Sequence, residues 1–101
     1  MVVTDLFIWR IMTREEKAAY LLRTIGDQSR FKIISLLLDK PLHVSEIVRK
    51  VKLQQSLVSH HLKVLRELGI LQSERKGPFI KYSVAKPEIV KIIMLAKQTT
   101  L

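Results

Sequence analysis

The sequence predicts a small, mainly α-helical domain that carries one β-hairpin. Three observations predict this class: apolar residues recur with a helical period in several segments, glycine or proline ends most of those segments, and one late stretch alternates with a period of two. A chain of 101 residues has the length of one domain, so residues 1–101 are expected to fold as a single unit.

Two helices are expected in the first 40 residues. Thr13 precedes Glu16 by three positions, which is the pattern of a capping box, and it opens a helix that Gly26 ends. Asp27 is expected to cap the next helix, over roughly residues 28–39. The apolar face of this second helix is made by Phe31, Ile34, Leu37 and Leu38.

The middle of the chain predicts two helices joined by a short turn. Pro41 breaks the second helix, and residues 42–44 are expected to form a short extended bridge. Ser45 is expected to cap a third helix over 46–51, and a fourth follows over about 55–68. Two helices separated by about three residues are the outline of a helix-turn-helix.

A hairpin is expected directly after the fourth helix, which Gly69 ends. Residues 70–76 and 79–84 are strand-like, and Gly77-Pro78 lies between them. In the second strand apolar and polar side chains alternate, so one face is expected to pack and the other to be solvated.

The complete order is that of a winged helix-turn-helix. Pro87, at a first helical position, begins a last helix over 88–98. The order is therefore helix, helix, short strand, helix, helix, hairpin, helix, with the helix-turn-helix at about 45–68 and the wing at about 70–84.

Positive charge is concentrated in this part of the chain. The formal net charge is +9, and residues 49–86 contain nine Lys and Arg against two Glu. A basic surface concentrated in one third of a small domain indicates a polyanion partner, and double-stranded DNA is the one that the helix-turn-helix favours. Charge alone leaves RNA, an anionic membrane or a merely solvated basic surface as alternatives.

Several classes of protein are not expected. The chain has no cysteine, which excludes disulfides and thiolate metal sites, and no stretch approaches the roughly 20 apolar residues of a membrane helix. Asp5 and Arg10 interrupt the apolar start, so no signal peptide is expected and the protein is expected in the cytoplasm. The Ser and His pairs of the fourth helix have no orienting acid, so an enzyme is not expected.

Two stretches resemble the signature stretches of the ArsR-type repressors. They are residues 27–34, which read DQSRFKII, and residues 56–71, which read SLVSHHLKVLRELGIL. The resemblance covers roughly residues 14–98. It implies a dimeric winged-helix repressor whose outer helices form the dimer, and it raises the question of metal control.

The sequence departs from the metal-responsive members of that family. Those members have two cysteines near the start of the third helix, where this chain has His43-Val44-Ser45. A second family site needs His and carboxylate pairs on the last helix, but residues 88–101 contain one acid and no His. His60 and His61 are neighbours on a helix and point about 100° apart, so they do not converge on one ion. No regulatory metal and no cofactor are expected.

The fourth helix is expected to read DNA bases. Val58, His61, Leu62 and Leu65 share its apolar face, and His61 is expected to be packed and hydrogen-bonded. A second face, free of acids over two turns, offers donors and acceptors suited to base edges in the major groove. The residues expected to read bases are Gln55, Ser56, Ser59, His60 and Lys63. An ordinary solvated face is the alternative.

Four cations are expected to contact the DNA backbone. Arg75, Lys76 and Lys81 flank the wing tip, and Lys52 precedes the reading helix. Such contacts fix register and carry little sequence information. The alternative is a hairpin that is basic for solubility.

The two ends of the chain are expected to form a homodimer. Segments of about 4–25 and 87–98 carry more apolar side chains than a small monomer easily buries. The predicted interface residues are Phe7, Trp9, Ile89, Ile92, Ile93 and Ala96. The alternative is that both ends cover the chain's own core.

The expected function is therefore a sequence-specific, DNA-binding transcriptional regulator, a repressor acting as a homodimer on a palindromic site. Two alternatives remain: a non-specific architectural DNA-binding protein, and a winged-helix module that binds other proteins.

Overall fold

The computed structural model describes residues 6–99, and within them six helices and three strands form one layered arrangement. The elements are α1 (Leu6–Ile11), α2 (Arg14–Ile25), α3 (Gln28–Leu36), β1 (Leu42–His43), α4 (Val44–Val51), α5 (Gln55–Glu67), β2 (Leu71–Lys76), β3 (Phe79–Val84) and α6 (Pro87–Gln98). The predicted winged helix-turn-helix order is confirmed, with α1 added before it. Residues 4 and 5 of the predicted dimerising segment lie outside the described residues.

The capping box at the start of α2 is present as predicted. The Glu16 backbone N–H donates to Thr13 Oγ1 at 3.0 Å, and the Thr13 N–H donates to Glu16 Oε1 at 2.9 Å. The hydrogen bond from the Thr13 backbone lowers the pKa of the Glu16 carboxyl. Gly26 ends the helix, where an added Cβ would lie 2.9 Å from the carbonyl oxygen of Leu22.

α3 is shorter than the sequence predicted. Asp27 caps it, with Oδ2 accepting from the Arg30 N–H at 3.0 Å, but the helix ends at Leu36 rather than near residue 39. The Leu37 N–H is shared between the carbonyls of Ile33 and Ile34, so the last turn tightens before Pro41 is reached.

The bridge before α4 is a strand, but its boundary was predicted wrongly. Leu42 and His43 pair with β3, and α4 begins at Val44. His43 rather than Ser45 is the N-cap, since its backbone N–H donates to Glu46 Oε1 at 3.0 Å. The last paired residue of the strand thus also starts the helix.

The three strands form an antiparallel sheet in the order β1-β3-β2. The register places Ser73 opposite Tyr82 and Glu74 opposite Lys81, and Gly77 turns the hairpin with φ of 61°. Because strand residues alternate between faces, Leu42, Leu71, Tyr82 and Val84 face the core, while His43, Gln72, Glu74, Lys76, Phe79, Lys81 and Ser83 lie on the other face.

One core joins the helix-turn-helix to the wing and to α6. Its fully buried large side chains are Ile33, Ile34, Leu42, Ile47, Val58, Leu62, Leu65, Leu71 and Ile93. Ile89 is also buried in this core. This corrects the predicted apolar stripe on the last helix: Ile89 and Ile93 cover the chain's own core, Ile92 is half-buried and Ala96 is exposed. Periodicity identified the correct face but not the surface that it covers.

A Schellman motif connects α5 to the wing. The Ile70 N–H donates to the Leu65 carbonyl at 2.9 Å, and the Gly69 N–H donates to the Arg66 carbonyl at 3.0 Å. Gly69 adopts φ of 75°, and an added Cβ would have no heavy atom within 4 Å. Glycine is therefore required here by backbone conformation and not by space.

We expect Gly69→Ala to lower the free energy of unfolding by about 1 kcal/mol. The left-handed conformation costs an L-residue about 1–2 kcal/mol, and the smaller conformational entropy of the unfolded alanine chain offsets part of that cost. Urea unfolding measures the change. Gly69→Asn is the matched control and should lower the free energy of unfolding less, because asparagine tolerates this conformation. An unchanged midpoint for Gly69→Ala would contradict this account.

Candidate nucleic-acid interface

α5 divides its side chains cleanly between the core and solvent. Val58, Leu62 and Leu65 have no exposed surface, and His61 is 7% exposed. The opposite face of the helix carries no acidic residue in its first turn, and no side chain caps its start. The structure exposes all five predicted base-reading residues on this helix: Gln55, Ser56, Ser59, His60 and Lys63. Leu57, 40% exposed, adds an apolar side chain at the same end.

The turn into α5 contains a lysine in an unusual conformation. Lys52 ends α4 with φ of 59° and ψ of 43°, in the left-handed region, and its N–H donates to the Val48 carbonyl at 2.9 Å. Its side chain is exposed. Lys32 of α3 steadies the same turn, because its Nζ donates to the Val51 carbonyl at 3.3 Å.

Two further cations lie in the last turn of α4. Arg49 and Lys50 are exposed beside Lys52, so three of the four residues 49–52 are basic. Both contribute to the net charge of residues 49–86, but neither was among the predicted DNA contacts. The signal was the cluster itself, at the helix end that leads into α5.

The wing cations do not form one group. Lys76 and Lys81 lie on the outer face of the sheet, whereas Arg75 pairs with Ile80 on the opposite face. Lys81 is half-buried, lies opposite Glu74 and is close enough to help lower the pKa of the Glu46 carboxyl. The larger cause of that lowered pKa is the hydrogen bond from the His43 backbone. Lys81 therefore lies near two carboxylates, while Arg75 and Lys76 are exposed at the tip.

Phe79 is 57% exposed and packs against a histidine at the base of the wing. Its ring centroid lies 4.9 Å from that of His43. His43 Nε2 is 4.0 Å from Glu46 Oε1, while its buried Nδ1 has no hydrogen-bond partner in the described part of the chain. The aromatic contact orients the start of the second wing strand over the N-terminus of α4.

Neither a metal site nor a membrane span is found in residues 6–99. No three His, Asp or Glu side chains gather where they could hold an ion. No helix in the same range is long and apolar enough to cross a bilayer.

Comparisons with known proteins agree with this geometry. The model of the bacterial regulatory proteins of the arsR family matches residues 27–73. The HTH-type transcriptional regulator MJ1325 of Methanocaldococcus jannaschii is 31% identical over 88 residues, which cover 86% of this chain and 99% of that protein. The transcriptional repressor PagR of Bacillus anthracis is 40% identical over 81 residues, which cover 79% of this chain and 81% of PagR.

The chain belongs to the arsR family of bacterial regulatory proteins. Solved structures agree: HlyU from Vibrio cholerae N16961 superimposes with a TM-score of 0.78 at 30% identity, covering 86% of this chain and 96% of HlyU. The PagR structure gives a TM-score of 0.71 at 39% identity, covering 80% of this chain and 93% of PagR. The resemblance found in residues 27–34 and 56–71 is confirmed, and the chain is a DNA-binding transcriptional regulator with a winged helix-turn-helix fold.

In this arsR-family chain a histidine is buried on the inner face of α5. His61 was predicted to be packed and hydrogen-bonded; it is buried, but its Nδ1 has no hydrogen-bond partner among the described residues. Asp27 faces it across the start of α3, and Arg30, whose Nε donates to the Thr24 carbonyl, lies beside both. The N–H of Arg30 lowers the pKa of the Asp27 carboxyl, which keeps a negative charge near the imidazole.

Burial lowers the pKa of His61 below its ordinary value of 6.5, and this effect outweighs the attraction of Asp27. Burial therefore favours the neutral imidazole. The unfolded chain binds the proton more readily, so the stabilisation is present above the unfolded-state pKa and is lost as the pH falls below it.

We expect the free energy of unfolding to fall between pH 7 and pH 5.5, and His61→Gln to reduce that slope. Urea unfolding at a series of pH values measures it. The lowered carboxyl pKa values of Glu16, Asp27 and Glu46 act at more acidic pH. The exposed neighbour supplies the control: His60→Gln should change the slope much less, because the charge of His60 is the smallest of the causes that lower the pKa of His61. If the pH dependence were the same in His61→Gln, another titratable group would be its cause.

Proposed function

We propose that this protein is a cytoplasmic repressor that binds a palindromic operator as a homodimer and reads its bases with the N-terminal half of α5. The observation that carries the proposal is the exposed face at the start of α5, which has no acidic residue in its first turn and begins beside the cationic end of α4. PagR, 40% identical, is named a transcriptional repressor, which supports the direction of regulation.

The side chains at the start of α5 suit base edges. The Gln55 amide offers a donor and an acceptor together, which is the pairing that adenine presents in the major groove. The Ser56 and Ser59 hydroxyls donate and accept, and their short side chains let the helix backbone approach the groove closely. His60 and Lys63 continue the same exposed face. A face with this mixture reads sequence, whereas a purely cationic face follows the backbone only.

Cations on both sides of α5 would hold the phosphates. Lys52 precedes the helix, and Arg75 and Lys76 lie at the exposed wing tip. Lys81, opposite Glu74, would contribute less because a carboxylate already attracts it. Each neutralised phosphate releases counterions, so binding should weaken steeply with salt.

Exposed apolar side chains on the outer helices support the homodimer. The larger ones are Phe7, Ile8 and Ile11 on α1, Leu22 on α2, and Met94 and Leu95 on α6. Exposed apolar surface of this kind usually marks an interface. Of the predicted interface residues, Phe7, Trp9, Ile92 and Ala96 retain exposed surface, while Ile89 and Ile93 act by holding α6 in place. A two-fold axis through these helices would set two α5 helices about one turn of DNA apart.

The deciding experiment selects bound duplexes from a random pool with the purified protein at moderate salt. We expect enrichment of a palindrome whose half-site centres lie about 10–11 base pairs apart. Binding without enrichment would favour the architectural alternative. An absence of binding would overturn the proposal and favour a protein-interaction module.

Replacement of Gln55, Ser56 and Ser59 by alanine should strongly reduce discrimination between the selected site and a scrambled duplex. Each lost base contact is worth about 1–3 kcal/mol of discrimination, whereas the phosphate contacts remain. Titration of both duplexes at one salt concentration measures the ratio. Replacement of Gln28 and Gln98, which are exposed and lie outside both α5 and the wing, is the control. Retained discrimination in the α5 variant would disprove the base-reading assignment.

Lys52→Gly should separate stability from DNA affinity. Glycine relieves a left-handed strain of about 1–2 kcal/mol but loses about 0.5–1 kcal/mol more chain entropy, so the free energy of unfolding should rise slightly. DNA affinity should fall for every sequence, and the slope of log K against log salt should shrink by about 0.9 for one lost phosphate contact. Lys91→Ala on α6 is the control, because it removes a distant charge without placing a glycine inside a helix. Unchanged affinity and slope would remove Lys52 from the interface.

Leu95→Glu should convert the dimer into a monomer. Leu95 is 62% exposed on α6, so a charge is harmless to the fold of one chain but unfavourable in an apolar interface. Analytical ultracentrifugation over a range of protein concentrations measures the oligomeric state. Gln28→Glu, which adds the same charge at the exposed start of α3, should remain a dimer. A dimer that survives in Leu95→Glu would move the interface away from this face.

A further inference from the structure

A cavity of about 350 Å³ lies between the α1–α2 end of the molecule and the start of α6. Trp9 and Tyr20 form its aromatic part, with their rings edge to face and their centroids 5.9 Å apart. Its aliphatic walls come from Leu21, Ile70, Ile89 and Ile92. The cavity is thus a partly open pocket with apolar walls, bounded by α1, α2 and α6.

Charge at this cavity is predominantly positive. Arg14, Lys17 and Lys86 line it, and Glu88 is the one acid among its lining residues. Lys17 Nζ lies 5.2 Å from the centre of the Trp9 ring, so a cation sits directly beside the aromatic wall. Within residues 6–99, no carboxylate forms an ion pair with any of these three cations.

We propose that this cavity binds a small organic anion, a carboxylate on an aromatic or aliphatic body, and that occupancy changes DNA affinity. The carboxylate would lie among Arg14, Lys17 and Lys86, and the apolar body against Trp9 and Tyr20. A neutral apolar ligand would leave the three cations unused.

The effect on DNA rests on the proposed function, and the cavity wall provides the connection. Leu68, Gly69 and Ile70 line the cavity and join α5 to β2. A ligand that moves this wall therefore moves the reading helix relative to the wing.

Trp9 is the only tryptophan of the chain, so its fluorescence reports on the cavity directly. Titration of the full chain with 2-naphthoate should give a saturable change, and the uncharged 2-naphthamide should bind at least tenfold more weakly. No saturable change, or equal affinity for acid and amide, overturns the proposal. Dissociation of a dimer by 2-naphthoate would show that a second copy fills the cavity, and would also overturn it.

Two neighbouring alanines provide a matched pair of variants. Ala18 lines the cavity and Ala19 does not, although both are exposed on α2. Ala18→Leu should fill the space and weaken 2-naphthoate binding at least tenfold, while Ala19→Leu should bind as the unmodified chain does. The double variant Arg14→Gln, Lys86→Gln should bind 2-naphthoate more weakly but 2-naphthamide equally well. Lys91→Gln should change neither affinity. If Ala18→Leu bound 2-naphthoate as tightly as the unmodified chain does, this cavity would not be the binding site.

A labelled duplex tests the regulatory part. With 2-naphthoate at saturation, the DNA dissociation constant of the unmodified chain should change at least fivefold, and that of Ala18→Leu should not. Saturable ligand binding without a change in DNA affinity overturns the regulatory part. If the chain failed to select any DNA sequence, the proposed function would fall, and the fluorescence titration would still decide the site.

Discussion

The geometry of this molecule depends on the burial of one face of α5. Val58, Leu62 and Leu65 are completely buried, in the same core as Ile47 of α4 and Ile93 of α6. Because helical side chains three and four positions apart share a face, fixing the buried face also fixes the direction of the exposed one. A loosely held helix would present Ser56 and Ser59 over a range of angles. Core packing at density close to that of a crystal is therefore what gives the exposed side chains of α5 a defined position.

Two residues with positive φ fix the ends of this helix in different ways. Gly69 adopts its conformation without steric cost and completes the Schellman motif that leads to the wing. Lys52, at the other end, adopts the same left-handed backbone conformation, which costs a residue with a side chain free energy. Stability alone favours glycine or asparagine at that position, and the proposed phosphate contact would give the lysine a role there that neither of them could fill. Local strain at a residue with a proposed binding role is common in proteins, because the surrounding fold over-determines its backbone.

Features with local signals could be predicted from the sequence, and features that depend on distant residues could not. The Thr13–Glu16 capping box, the Gly69 helix end and the Gly77-Pro78 turn are each encoded within a few residues, and the structure contains all three. The start of α4 at Val44 depends on pairing of His43 with Lys81, almost 40 residues later. The pairing of β3 with both neighbouring strands also sets Lys81 near the carboxylates of Glu74 and Glu46. The core role of Ile89 and Ile93 likewise depends on which face of the molecule α6 covers, which a periodic pattern does not specify.

Ile70 connects the reading helix, the wing and α6 through three adjacent interactions. Its N–H bonds to the Leu65 carbonyl at the end of α5, and its carbonyl accepts the Ala85 N–H at 3.0 Å, directly before the N-cap of α6 at Lys86. Its side chain is buried and also lines the cavity beside Trp9. Because a densely packed core does not absorb a displaced side chain locally, movement of Ile70 is transmitted to all three elements together. A ligand in the proposed cavity that displaced Ile70 would therefore act on α5, on the wing and on α6 at once.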